Sequence, residues 1–227
     1  MKMLAKGSFG ALLLTAAMSV AAFPVNVTSI DGTFENVNSG VNGGGTSLID
    51  WGNNSSSYEF IGASPLPTIN DETPFELGTL RHTNNQNDAG SGSLTSTDLA
   101  ITLGFGSEAA AGTFIFAHDE TADNGTNLEC GFYFFGCWYY TDLENAPVDD
   151  TITQTGASVA SSSFILGGFE YSLELLGLNA VGSTPENTVR DYNLTAKLTA
   201  TAVPEPGTLA LLGLGLAGLG MARRRKA

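Results

Sequence analysis

His82 and His118 are the only histidines in this 227-residue chain, so they are its only side chains that titrate ordinarily near neutral pH. A Ser-His-Asp device would need one of them beside a serine on a constrained turn, with a carboxylate behind the ring. No Gly-x-Ser-x-Gly elbow occurs in the sequence. His118 and Asp119 are adjacent, which on a strand sends their side chains to opposite faces. Each histidine reads as a hydrogen-bonded structural residue at a strand end, and no catalytic residue is expected.

Carboxylates are far more abundant. The stretch Asp119-Glu120-Thr121-Ala122-Asp123-Asn124-Gly125 is rich in oxygen ligands of the kind calcium prefers on a loop. It is not an EF-hand: Ala122 breaks the alternation of ligands, and Gly131 stands where the closing Glu belongs. A looser calcium loop at Asp119, Glu120, Asp123 and Asn124 stays open beside a plain solvated turn, and no other cofactor is expected. Asp71-Glu72 and Asp149-Asp150 are acidic pairs of the sort glycosidases use. With 23 acidic residues in the chain such pairs arise readily, so neither is assigned a catalytic role.

Cys130 and Cys137 are the only cysteines and bracket a run of aromatic residues. In an exported chain an even cysteine count points to a disulfide. Zinc would need two further ligands, and only His82 and His118 are available. The aromatic run continues through Trp138, Tyr139 and Tyr140. A closed loop could present Tyr133, Phe135, Trp138 and Tyr140 outward for stacking on sugar rings or on a partner protein. The other reading is that these rings fill a core.

The elements that must carry these residues read as strands. Leu99, Ile101, Leu103 and Phe105 alternate with smaller or polar residues. Tyr171, Leu173 and Leu175 do the same, as do Leu194, Ala196, Leu198 and Ala200. Period two marks half-buried strands, and clusters such as Asn42-Gly43-Gly44-Gly45 mark the turns between them. The polar, Ser-rich segment 154–163 is expected to be a loop. Many short strands with regular turns predict an all-β domain, an antiparallel β-sandwich or jelly roll, over residues 23–202.

The ends read differently. Lys2 and Lys6, an apolar run from Phe9 to Met18 and the small residues Ser19-Val20-Ala21-Ala22 form the three-part layout of a signal peptide, residues 1–22. Its apolar helix is followed by signal peptidase cleavage after Ala21 or Ala22. At the other end Val203-Pro204-Glu205-Pro206 precedes an uncharged segment, Gly207 to Ala222, and then Arg223-Arg224-Arg225-Lys226. As a helix those 16 residues span about 24 Å at about 1.5 Å each, against a bilayer core of about 30 Å. This is a short transmembrane helix, weakened by five glycines, whose basic cluster stays cytoplasmic. Residues 23–206 hold all 23 acidic residues but only Arg81, Arg190 and Lys197, a net charge of −20. Such a surface excludes nucleic acid and anionic lipid as partners.

The tail, Val203 to Ala227, resembles the PEP-CTERM sorting signal of Gram-negative bacteria in its three-part order. The resemblance implies recognition by an exosortase, cleavage near Pro204-Glu205-Pro206, transient contact with the inner membrane and an association with exopolysaccharide. The domain resembles the choice-of-anchor K family of exported proteins. That likeness is carried by Asp50-Trp51-Gly52, Tyr58-Glu59-Phe60, Phe75-Glu76-Leu77-Gly78, His82-Thr83-Asn84, His118-Asp119-Glu120-Thr121 and Tyr171 to Gly177. It implies a surface domain without an established reaction. The expectation is thus a non-enzymatic protein of the envelope, cell surface or extracellular matrix. A carbohydrate-binding module is the alternative, and a secreted hydrolase a more distant one.

Overall fold

The computed structural model describes residues 21–87, 91–120, 149–159, 163–178 and 182–204, the strand pieces 128–130 and 140–142, and helical residues 207, 211–216 and 218. In chain order the strands are β1 (Val25–Asn26), β2 (Ser29–Glu35), β3 (Leu48–Trp51), β4 (Ser56–Gly62), β5 (Thr68–Ile69), β6 (Phe75–Asn84), β7 (Ser96–Phe105) and β8 (Glu108–Asp119). They continue with β9 (Leu128–Cys130), β10 (Tyr140–Asp142), β11 (Asp150–Val159), β12 (Phe164–Leu166), β13 (Phe169–Gly177), β14 (Gly182–Thr184) and β15 (Thr188–Ala202). The chain is mostly β, and its pairings are antiparallel.

Alternation decides which residues face inward. On β7, Leu99, Ile101, Leu103 and Phe105 are buried; on β13, Tyr171, Leu173 and Leu175 are buried while Ser172, Glu174 and Leu176 are exposed. On β15, Leu194, Ala196 and Leu198 are buried and Ala200 is half-buried at the strand's far end. One sheet has five strands in the order β14-β11-β8-β7-β2, and the other has six in the order β12-β13-β15-β6-β4-β3. Their inner faces meet in one apolar cluster. Phe34, Leu99, Phe114 and Phe116 come from the first sheet; Ile49, Trp51, Tyr58, Leu80 and Leu194 come from the second. Aromatic rings stack across the interface, Phe105 on Phe164 at 4.6 Å and Phe34 on Tyr58 at 6.3 Å.

The segment expected to be a loop from residue 154 is instead the larger part of β11, paired with β8 through Val159. The reason is backbone pairing without apolar alternation. Among the described residues, β11 beyond Ile152 pairs with β8 alone, because β14 covers just Asp150 to Ile152. A polar, Ser-rich composition suits such a free edge, which must stay soluble and resist pairing with another chain. At the C-terminus, Leu211 to Leu216 are helical and exposed. Among the described residues no helix is long and apolar enough to cross a membrane.

One backbone feature tunes β6, the strand that carries His82. Its ladder with β15 slips between Leu194 and Thr195, so Leu77 and Gly78 are consecutive buried residues. Gly78 has φ 149°, and a Cβ there would strike the Ile61 carbonyl oxygen and the backbone of Gly62 and Ala63. Gly78→Ala should therefore cost about 2–3 kcal/mol, through strain and forced separation of β4 from β6. Urea unfolding reads this directly; an unshifted midpoint would contradict the packing described.

Candidate functional site

The inward face of this fold carries polar residues at positions where alternation calls for apolar ones. His82 follows Leu80 in phase on β6, and His118 follows Phe114 and Phe116 in phase on β8. Asp150 precedes Ile152 in phase on β11. Register then sets the neighbours. Tyr58 of β4 lies directly opposite His82, His118 opposite Ile152, and Asp150 opposite Thr184. β6 belongs to one sheet and β8 and β11 to the other, so face-to-face packing brings His82 against His118 with ring centroids 5.4 Å apart.

Both imidazoles are held at Nδ1 by hydroxyls. His82 Nδ1 is 2.7 Å from Thr184 Oγ1, which is 2.7 Å from Tyr192 Oη. His118 Nδ1 is 2.6 Å from Tyr58 Oη. The two Nε2 atoms converge on one carboxylate oxygen, Asp150 Oδ2, at 3.9 Å from His82 and 3.8 Å from His118. These separations are too long for hydrogen bonds. His118 Nε2 also lies 3.1 Å from Glu120 Oε2. Trp51 roofs the group, its ring 6.0 Å from His82 and 5.1 Å from His118, and its Nε1–H donates to Glu120. Asn87 Nδ2 donates to the other Glu120 oxygen at 3.0 Å and to Ser56 Oγ at 2.7 Å.

Electrostatics follow from this burial. Desolvation, with the neighbouring His118, lowers the His82 pKa to about 3, so His82 is neutral at physiological pH. The His82–Asp150 contact is therefore not an ion pair. Burial raises the Tyr58 phenol well above its ordinary value, and Asp150, Tyr192 and Glu120 add to that. Burial also works to raise Glu120, but hydrogen bonds from His118, Asn87 and Trp51 outweigh it and leave the carboxyl below its usual range. A neutral imidazole, as at His82, is the protonation state that metal ligation needs. The ligand atoms of His82, His118 and Asp150 all lie within 4.8 Å of one another.

The residues singled out from sequence fall in several places. His118 and Asp119 do take opposite faces, buried and exposed. Glu120 turns inward to Trp51, Asn87 and His118, away from the exposed Asp119; Asp123 and Asn124 lie outside the described residues. The acidic pairs take different roles. Asp71 closes a turn by accepting from the Thr73 amide at 2.8 Å, and Glu72 accepts from the Ala200 amide at 3.2 Å. Asp149 accepts from the Ser183 hydroxyl while Asp150 is buried. Cys130 ends β9, paired with Tyr140 of β10; Cys137, Tyr133, Phe135 and Trp138 lie outside the described residues, and so does any pairing of the cysteines. Tyr58, Thr184, Trp51 and Tyr192 were not singled out as partners of the histidines. The available signal was polar residues in phase with apolar ones on alternating strands.

At the C-terminal end β15 passes directly into the tail. The Val203 amide donates to Gly168 O at 2.9 Å, and Pro204 is already exposed. Glu205, Pro206 and the basic cluster Arg223 to Lys226 lie outside the described residues. Residues 202–226 match the family described as the PEP-CTERM protein-sorting motif. The chain thus carries the mark of proteins sorted by an exosortase and exported to the cell envelope or surface. A comparison with curated proteins returns no match.

Proposed function

We propose that this chain is a non-enzymatic surface protein, exported through the inner membrane and released into the envelope or extracellular matrix beside exopolysaccharide. The observation that carries the reading is the sorting motif over residues 202–226, which begins where the last strand ends at Ala202. In this reading residues 1–22 are a signal peptide removed by signal peptidase. Residues 23–202 are a β-sandwich of jelly-roll kind, similar to the choice-of-anchor K family. Residues 203–227 hold a short membrane helix until the exosortase cleaves near Pro204-Glu205-Pro206. The excess of acidic residues supports a role beside neutral glycans or cations rather than nucleic acid. The aromatic run with Tyr133, Phe135, Trp138 and Tyr140 is the surface assigned to glycan or partner contact, closed by a Cys130–Cys137 disulfide.

Intact mass spectrometry of surface and culture fractions tests this. The expected mature species starts after Ala21 or Ala22 and stops near Pro204. A species still carrying Arg223 to Ala227 would overturn the cleavage. The same spectra, with and without reductant, report the disulfide.

A further inference from the structure

We propose that His82 Nε2, His118 Nε2 and Asp150 Oδ2 form a buried binding site for a single divalent transition-metal ion of the zinc class, which clamps the two sheets together. The inference is independent of how the tail is processed. Its first support is convergence: three ligand atoms from β6, β8 and β11 lie within 4.8 Å of one another, and each residue is buried. The second support is His82 itself. Its side chain is 0% exposed, and among the described residues Nε2 has no hydrogen-bond partner. With Nδ1 held by Thr184, that nitrogen is aimed at Asp150 Oδ2.

The surroundings match what a metal asks of its ligands. A ligating histidine usually has its second nitrogen fixed by an oxygen, which sets tautomer and ring orientation. Thr184 does this for His82 and Tyr58 does it for His118. In the bound form His118 carries its proton on Nδ1, donated to Tyr58 Oη, and frees Nε2 for the ion. Two neutral imidazoles and a carboxylate select zinc, cobalt, nickel or copper over calcium and magnesium, which want shells of oxygen ligands. Ligand atoms on a tetrahedral zinc, with bonds of about 2.0–2.1 Å, sit about 3.3–3.4 Å apart. The observed 3.8 and 3.9 Å to Asp150 must shorten by roughly half an ångström, and the separation between the two imidazoles, within 4.8 Å, by up to roughly 1.4 Å. Glu120 Oε2, 3.1 Å from His118 Nε2, stands next in line for the fourth position.

The site differs in metal from a calcium loop at Asp119, Glu120, Asp123 and Asn124, and shares only Glu120 with it. It joins strands of opposite sheets, so its effect should be mainly on stability. The test uses the full chain without a polyhistidine tag, purified in mild detergent, stripped with chelator and titrated with zinc or cobalt. One ion per chain is expected, with the intense visible bands of tetrahedral cobalt. Zinc at about 100-fold above its Kd should raise Tm by about 5–10 °C. His82→Asn and the near-isosteric Asp150→Asn should each abolish stoichiometric binding and the Tm rise, whereas Cys130→Ser should leave both intact. Wild-type protein that binds neither ion and shows no Tm rise overturns the proposal. So does stoichiometric binding retained in both His82→Asn and Asp150→Asn. The wild-type titration decides the matter even if a variant fails to fold.

Discussion

Trp51→Ala should destabilise the domain by about 3–5 kcal/mol, the usual cost of removing a large aromatic ring from a packed interior. Trp51 is 0% exposed and sits at the end of β3, where it closes over the polar cluster. Its ring meets Tyr58 and His118 edge-on, each at 5.1 Å and 66°. The substitution leaves a cavity and also strips Glu120 of the indole N–H donor, so a half-buried carboxylate loses one of its hydrogen bonds. Trp51→Phe separates these effects. It keeps most of the ring and loses the donor, and should cost about 1–2 kcal/mol. Urea unfolding of both variants against wild type gives the two numbers. A loss under about 1 kcal/mol for Trp51→Ala would mean the ring is not the roof of the cluster.

The second large effect is acid sensitivity of the metal-stripped chain. His82 has a folded-state pKa of about 3, against about 6.5 when unfolded. The unfolded chain therefore binds more protons between those values. The corresponding stability is fully present above about pH 6.5 and is lost as pH falls towards 3. At about 1.4 kcal/mol per pKa unit, the loss is about 2 kcal/mol by pH 5 and up to about 5 kcal/mol near pH 3. The groups facing the ring are His118, Asp150, Tyr58, Trp51 and, through Thr184, Tyr192. Glu120 acts in the same direction at lower pH: its carboxyl is held below its ordinary value, so that part is present above about 4.5 and lost beneath it. Urea midpoints at pH 7.5, 6 and 5 in chelator should fall steadily for wild type and much less for His82→Gln. A midpoint unchanged from pH 7.5 to 5 would place the His82 pKa near its ordinary value.

Both effects arise from residues only partly legible in the sequence. The inward strand positions were legible: Leu99, Ile101 and Leu103 on β7, and Tyr171, Leu173 and Leu175 on β13, follow from period two alone. So were the opposite faces of His118 and Asp119. β11 was not, because a polar edge strand is stabilised by its backbone ladder with β8, and main-chain pairing leaves no apolar pattern in the sequence. Glu120 was placed among candidate oxygen ligands on a loop. Its inward turn depends on Trp51 and Asn87, which reach it from distant parts of the chain.

Where the chain is sent, and what kind of element it builds, can be read along the chain. A sorting tail is read as a linear order of prolines, apolar residues and arginines, and strand alternation is a local property of the backbone. The meeting of His82, His118 and Asp150 comes from the folded arrangement of the two sheets. Alternation says that each faces inward, but not which strands pair, in what register, or which sheet lies opposite. Those choices are made by non-local contacts: Tyr58 beside His82 on one sheet, Thr184 beside Asp150 on the other, and the packing of the two faces around Trp51.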